Sequence, residues 1–317
     1  MPAKVAITGA SGLIGTALGD SLRADGHDVL RLRRGSARSD DPGVSGWDPS
    51  AVDGGLDPRA FAGVTAVVHL AGAGIADKRW TPERKAVIRD SRILGTRALA
   101  TGLAQLDRPP ATLLCGSAIG WYGDTGDREA DESAPPAAGF LPDLVRDWEQ
   151  AADPARAAGI ATAHLRSGIV LGPAGGTLGE LLPIFRLGLG IPLGSGRQYM
   201  SWISLADEVG AIRFLLDRAD VTGPVNLTAP AAVRNIELTA ALNDALGRPT
   251  FLRLPVPGLR LPGSLLHVPT PVLRIALGEV AGELLASARV LPRRLAEAGY
   301  AFRYPDLPAA LAYALRH

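Results

Sequence analysis

Cysteine is nearly missing from this chain of 317 residues: Cys115 is the only one. An intrachain disulfide is therefore excluded, which fits a reducing compartment and an expected cytoplasmic location. Lysine is almost as scarce, with Lys4, Lys78 and Lys85 beside 30 arginines. Any chemistry that needs an ammonium group must come from those three positions. Long apolar runs are lacking as well. No stretch reaches the roughly 18 residues a membrane helix needs, and the nearest, FLRLPVPGLRLPGSLLHVPTPVL, is cut by prolines and arginines. No membrane span is expected. The start, MPAKVAITGA, passes straight into a strand and carries no signal-peptide pattern. His27, His69, His164, His267 and His317 show no metal-ligand spacing, so no metal is expected. Charge of one sign is not in excess: 33 basic residues face 32 acidic ones. That balance gives no electrostatic case for nucleic acid.

What is present is a chain with 47% hydrophobic residues, enough for one large domain or two modest ones. The first half alternates. KVAIT, HDVLRLR, VTAVVHL and ATLLCGS read as apolar strands. Between them, GLIGTALGDSLRADG has a helical period that Gly26 can stop, and Thr81 with Pro82 opens a long helix, TPERKAVIRDSRILGTRALATGLAQL. Pro142 can open another, PDLVRDWEQAADPARAAG, followed by ATAHLRSGIVLG as one strand. Apolar strands alternating with helices imply an α/β, doubly wound parallel sheet. The second half has more proline and glycine and shorter elements, and reads as a smaller C-terminal domain over the carboxyl edge of the sheet. The expected division is 1–165 and 166–317. It is a soft one, since later strands can return to the sheet.

TGASGLIG is the strongest motif. Gly9 allows a tight turn, Gly12 lets a pyrophosphate approach, and Gly15 lets helix and strand pack closely. The amides at the helix start face the negative charge. Ser11, Leu13 and Ile14 complete this loop as expected cofactor contacts. Leu70, Ala71 and Gly72, after the third strand, join them on the same edge. The end of the second strand selects the nucleotide. An acid there would bond a ribose 2′-hydroxyl, but this chain has Arg33 and Arg34. Guanidinium groups suit a 2′-phosphate, so NADP(H) is the expected cofactor.

CGSAIGWYGDTG places Ser117 and Tyr122 beyond a strand on that same edge. The serine is a candidate to bind a substrate carbonyl, and the tyrosine to donate the proton in hydride transfer. No tyrosine is followed four residues later by lysine. Lys78, in the loop after HLAG, is the candidate cation; Lys85 reads as solvated. Trp121 is a candidate pocket wall. In GSGRQYMSWIS, Arg197 and Gln198 offer donors to a polar ligand and Trp202 offers a stacking face. Trp47-Asp48-Pro49 reads as a structured turn and Cys115 as a buried apolar residue. The proline-rich stretch from Leu254 to Pro271 is a candidate cover for the cleft or a homodimer surface.

TGASGLIG, HLAGAGIADKRWT, DSRILGTRAL, SAIGWYGD, LRSGIVLGPAGG, LGSGRQYMSWI and RVLPRRLAEAGYAFRYPDLPAAL together resemble the atypical, extended short-chain dehydrogenase/reductases of the "epimerase family". The resemblance covers nearly the whole chain. It implies an extended Rossmann fold, NADP(H) binding and the group's own C-terminal domain. It also implies oxidoreductase or sugar-epimerase chemistry on a small-molecule substrate. A chain that keeps the phosphate loop without that chemistry, as a NADPH-binding or redox-sensing protein, is the third expectation.

Overall fold

The structure is a computed structural model of the chain. It describes residues 3–35, 41, 43–75, 77–173, 175–247, 251–253, 260–262 and 267–316. The strand β1 (Lys4–Thr8) runs through the glycine loop into α1 (Leu13–Ala24). Gly26 then turns the chain with a φ of 78° and donates to the Arg23 carbonyl. There follow β2 (Asp28–Arg34), β3 (Val44–Trp47) and β4 (Val64–His69). The helix α2 (Pro82–Ala104) begins where the Thr81 side chain accepts from the Arg84 amide and proline occupies the first turn.

Beyond it come β5 (Thr112–Ala118), a single 3₁₀ turn (Ile119–Tyr122), β6 (Glu129–Ala130), α3 (Phe140–Gln150) and α4 (Asp153–Ala157). Pro142 sits inside the first turn of α3 and does not open it. The expected continuous helix breaks before Pro154, which has no N–H to continue the ladder. Next are β7 (Ala161–Ser167), β8 (Ile169–Leu171), α5 (Gly176–Arg186), β9 (Tyr199–Met200), β10 (Trp202–Ser204), α6 (Leu205–Leu216) and β11 (Gly223–Leu227). The remainder comprises β12 (Val233–Arg234), α7 (Asn235–Ala245), β13 (Phe251–Arg253), β14 (Arg260–Pro262), α8 (Thr270–Leu277), α9 (Val280–Leu285), β15 (Arg289–Val290), α10 (Arg293–Glu297) and α11 (Leu307–Arg316).

Seven strands form one sheet in the order β11-β7-β5-β4-β1-β2-β3, every neighbour parallel. Its inner strands β1, β4 and β5 are apolar and buried along most of their length because both faces are covered. One face packs Leu18 and Leu22 of α1 with Ile212 and Leu215 of α6. The other packs Leu99 and Leu103 of α2 beside Trp47. A further core of Leu178, Phe185, Trp202, Leu242 and Leu311 joins α5, α7 and α11.

Two features depart from the sequence reading. VSGW is an edge strand, β3. ATAHLRSGIVLG breaks at Gly168, where a Cβ would lie 2.7 Å from the Ser201 carbonyl oxygen; β8 therefore leaves the sheet to pair with β10. The soft division near residue 165 falls inside β7, and β11 returns to the sheet from beyond it, as that reading allowed.

Candidate active site

A cleft of about 760 Å³ opens at the carboxyl edge of the sheet, over β1, β2 and β4. Gly9, Ser11, Gly12 and Gly15 line it, with Leu70, Ala71 and Gly72 on the opposite wall. The glycines have different reasons to be glycine. Gly9 has a φ of 66°, and a Cβ there would lie 2.8 Å from the Leu70 carbonyl. At Gly15 a Cβ would lie 2.2 Å from the Gly9 oxygen. Gly12 is the residue before α1, with no side chain capping the helix, so the first-turn amides are left for another acceptor. The side chains of Leu13 and Ile14 do not line the cleft. They pack on the core, which leaves the backbone amides of the two residues as their groups at the helix start.

The opposite wall is fixed from beneath. The Thr8 hydroxyl accepts from the amides of Leu70 and Ala71 at 3.1 and 3.2 Å. Its proton therefore goes to His69 Nδ1, 2.7 Å away. His69 Nε2 then donates to the Thr96 hydroxyl at 3.0 Å, which also accepts from Trp148 Nε1 at 2.9 Å. Burial holds His69 neutral, with a pKa down at about 4.

Arg31, Arg33 and Arg34 stand along the end of β2. Arg31 pairs with Asp41 at 2.9 Å. Arg33 and Arg34 line the cleft, are exposed, and make no side-chain hydrogen bond or ion pair with the described residues. Trp47 and Pro49, read from sequence only as a turn, also line it, Trp47 closing β3.

Ser117 follows one strand over from Ala71, since His69 is in register with Cys115. It is buried, and its hydroxyl donates to Glu149 Oε1 at 2.7 Å. Glu149 also holds Arg166 through two bonds, Nε–Oε1 at 2.8 Å and Nη2–Oε2 at 2.9 Å. Arg166 Nη1 in turn donates to the Tyr122 hydroxyl at 3.0 Å, and Tyr122 donates to Asn226 Oδ1 at 2.7 Å. The guanidinium stacks 3.9 Å from the Trp121 ring, whose Nε1 donates to the Ala134 carbonyl.

This network corrects the proton-donor role of Tyr122. The residue is 3% exposed and its hydroxyl is committed on both sides. Burial pushes its pKa up to about 12, and Arg166 only partly opposes this. A poised donor needs the reverse. Sequence reasoning also missed Glu149, Arg166 and Asn226. The available signal was Arg166 itself, an arginine inside an apolar strand that must find a carboxylate. Tyr122→Phe is expected to lower the unfolding free energy by about 1–3 kcal/mol, because Asn226 and Arg166 each lose a buried partner. Urea unfolding at neutral pH measures this, and unchanged stability would show the hydroxyl to be unpaired.

The sequence profile of the NAD dependent epimerase/dehydratase family matches residues 5–227, most of the chain and the whole seven-stranded sheet. The chain belongs to that family. In this epimerase-family chain, residues 268–314 match a second profile, a domain of unknown function, DUF1731. An epimerase family protein of Mycobacterium tuberculosis, MT2273, is 46% identical over 314 residues, spanning 98% of this chain and 97% of the relative. The human epimerase family protein SDR39U1, crystallised with NADPH, superposes with a TM-score of 0.84 at 32% identity and covers 99% of each chain. A nucleoside-diphosphate sugar epimerase of Corynebacterium glutamicum superposes at 0.77 and 32% identity, over 99% of this chain and 58% of that one.

The remaining candidates of this epimerase-family chain are not gathered at the cleft. Trp202 is 1% exposed inside the core of α5, α7 and α11, so it presents no stacking face. Gln198 is buried and donates to the carbonyls of Leu193 and Leu284, which makes it a packing residue. Arg197 is exposed, and its carbonyl accepts from Arg234. Lys78 is exposed and makes no side-chain bond among the described residues. Lys85 pairs with Glu279. Cys115 is buried, which raises its thiol to about 12. Most of the proline-rich stretch from Leu254 to Pro271 lies outside the described residues. Among the described residues no helix is long and apolar enough to cross a membrane.

Proposed function

We propose that the protein binds NADP(H) and acts as an oxidoreductase on a small polar carbonyl or alcohol. The observation that carries this reading is the pair Arg33 and Arg34, without an ion-pair partner among the described residues at the cleft wall while neighbouring Arg31 pairs with Asp41. Their forks suit the two extra charges of a 2′-phosphate. The residues fit the group: the glycine loop leaves room for a diphosphate, the uncapped α1 amides face it, and about 760 Å³ lies within the range of cofactor sites. The NADPH in the human relative's crystals supports the same choice.

When bound, the nicotinamide would supply or accept a hydride. Ser117, next to the Ala71 wall, would take the proton of the substrate hydroxyl and pass its own to Glu149 Oε1 as an alcohol gives up its hydride; the reverse serves reduction. Arg166 and Tyr122 would hold that carboxylate in place.

Arg33→Ala with Arg34→Ala is expected to weaken NADPH by about a hundredfold or more, from two lost charge-assisted contacts. NADH should change by only a few-fold. Fluorescence titration of both nucleotides decides it, and equal losses would refute the phosphate clamp. A second reading is a sugar epimerase, which the likeness to the Corynebacterium nucleoside-diphosphate sugar epimerase favours. It would yield product isomers with no net NADPH consumption. A binder without chemistry would hold NADPH and turn over nothing in a broad carbonyl panel.

A further inference from the structure

Two buried arginines flank the active edge, and only one has a carboxylate. Arg166 is held along one edge by both oxygens of Glu149. Arg92, in α2, is 8% exposed, yet no described carboxylate lies within ion-pairing distance. Its Nη1 donates to the carbonyls of Ala73 at 2.8 Å and Ile88 at 3.3 Å, and its Nε has no partner among the described residues. Two turns earlier, Arg84 donates to the Gly74 carbonyl and meets Asp77 at 3.3 Å. Its side chain is 15% exposed and its Nε is also buried without a partner. The Asp77 side chain is 60% exposed, so it screens the pair weakly. The two guanidinium groups repel each other, and burial with that repulsion lowers Arg92 to about 10.

Their position is informative. A Cβ on Gly72 would lie 3.3 Å from the Arg92 guanidinium carbon, and Gly72 lines the cleft. The cation therefore stands directly behind the cleft wall. The Trp148 ring, 5.1 Å away, covers it from another side. A guanidinium held in a dry place by carbonyl oxygens alone, as Arg92 is, beside a second one whose only carboxylate is exposed, is strongly unfavourable without a further counter-charge. Planar forks favour a two-oxygen acceptor.

We infer that Arg92 and Arg84 form an oxyanion subsite beside Gly72, and that the substrate carries a carboxylate or a phosphate. The inference deepens the proposed function and rests on its placing of the ligand in this cleft.

Titration of the full chain with matched carbonyl compounds tests it, with and without saturating NADP⁺. Pyruvate is compared with uncharged butanedione, and dihydroxyacetone phosphate with dihydroxyacetone. The charged member of at least one pair should bind about ten- to a hundredfold more tightly. Which pair shows it tells carboxylate from phosphate. Arg84→Gln and Arg92→Leu should each erase the preference while leaving the NADP⁺ affinity unchanged. Equal affinities within both pairs in the wild type, or a preference that survives both variants, would overturn the subsite. Without ligand, Arg92→Leu should unfold at or above the wild-type temperature, since an unpaired charge has been removed. A midpoint several degrees lower, or failure to fold, would make Arg92 a structural anchor and remove it from the subsite; Arg84→Gln then decides alone. Loss of NADP⁺ binding in the wild type would instead refute the proposed function, and the nucleotide-free titrations still read the subsite.

Discussion

Glu149→Ala is expected to cost about 3–5 kcal/mol of stability, a large share of the roughly 5–15 kcal/mol that holds a domain folded. The reason is what stays behind. The Arg166 side chain is 2% exposed, and both of its bonds to a carboxylate end on Glu149. Truncating the acid leaves that charge dry, with only the Tyr122 hydroxyl and the Trp121 face beside it. Ser117 loses its acceptor too. Removing both charges should be far milder, because nothing is then left uncompensated. Glu149→Leu with Arg166→Met should recover most of the loss. Urea unfolding of the three proteins at neutral pH measures this. A single-variant loss below about 1 kcal/mol, the value of an exposed pair, would mean that water reaches the guanidinium.

The second large effect is expected at Gly15. A methyl there would meet the Gly9 oxygen at 2.2 Å and the Ala10 Cα at 2.9 Å. Both contacts are backbone, so no side chain can swing aside, and the phosphate loop and α1 must move apart. Overpacking of this kind costs about 1–3 kcal/mol. The displaced atoms also form the cleft wall, so Gly15→Ala should lose NADPH affinity by about a hundredfold as well, each tenfold being about 1.4 kcal/mol. Gly12→Ala is the control. Its Cβ would meet the Gly9 oxygen at 3.3 Å with φ at −79°, a backbone that alanine accepts, so a smaller loss is expected. NADPH titration and thermal unfolding read both variants. Equal losses would mean that approach of the phosphate, and not helix packing, governs the loop.

Much of the scaffold was legible because it is written locally. Thr81 and Pro82 start α2 as read, and Gly26 ends the turn after α1. What failed depended on distant neighbours. Gly168 breaks a strand because the Ser201 carbonyl passes close by. Trp202 resembles an exposed loop aromatic until α5, α7 and α11 close over it. Tyr122 looks available until Asn226, 104 positions later, accepts its hydrogen bond.

The sequence by itself determined the alternating α/β order, the glycine turn before α1 and the two arginines closing β2. Each follows from backbone sterics or from side-chain period within a few residues. Tertiary structure alone decided which polar groups meet. Ser117 and Arg166 come together because β5 and β7 pair in one register, and Glu149 reaches them from α3. A hydrogen bond or ion pair requires contact at about 3 Å, and contact between distant segments depends on how strands register and helices pack.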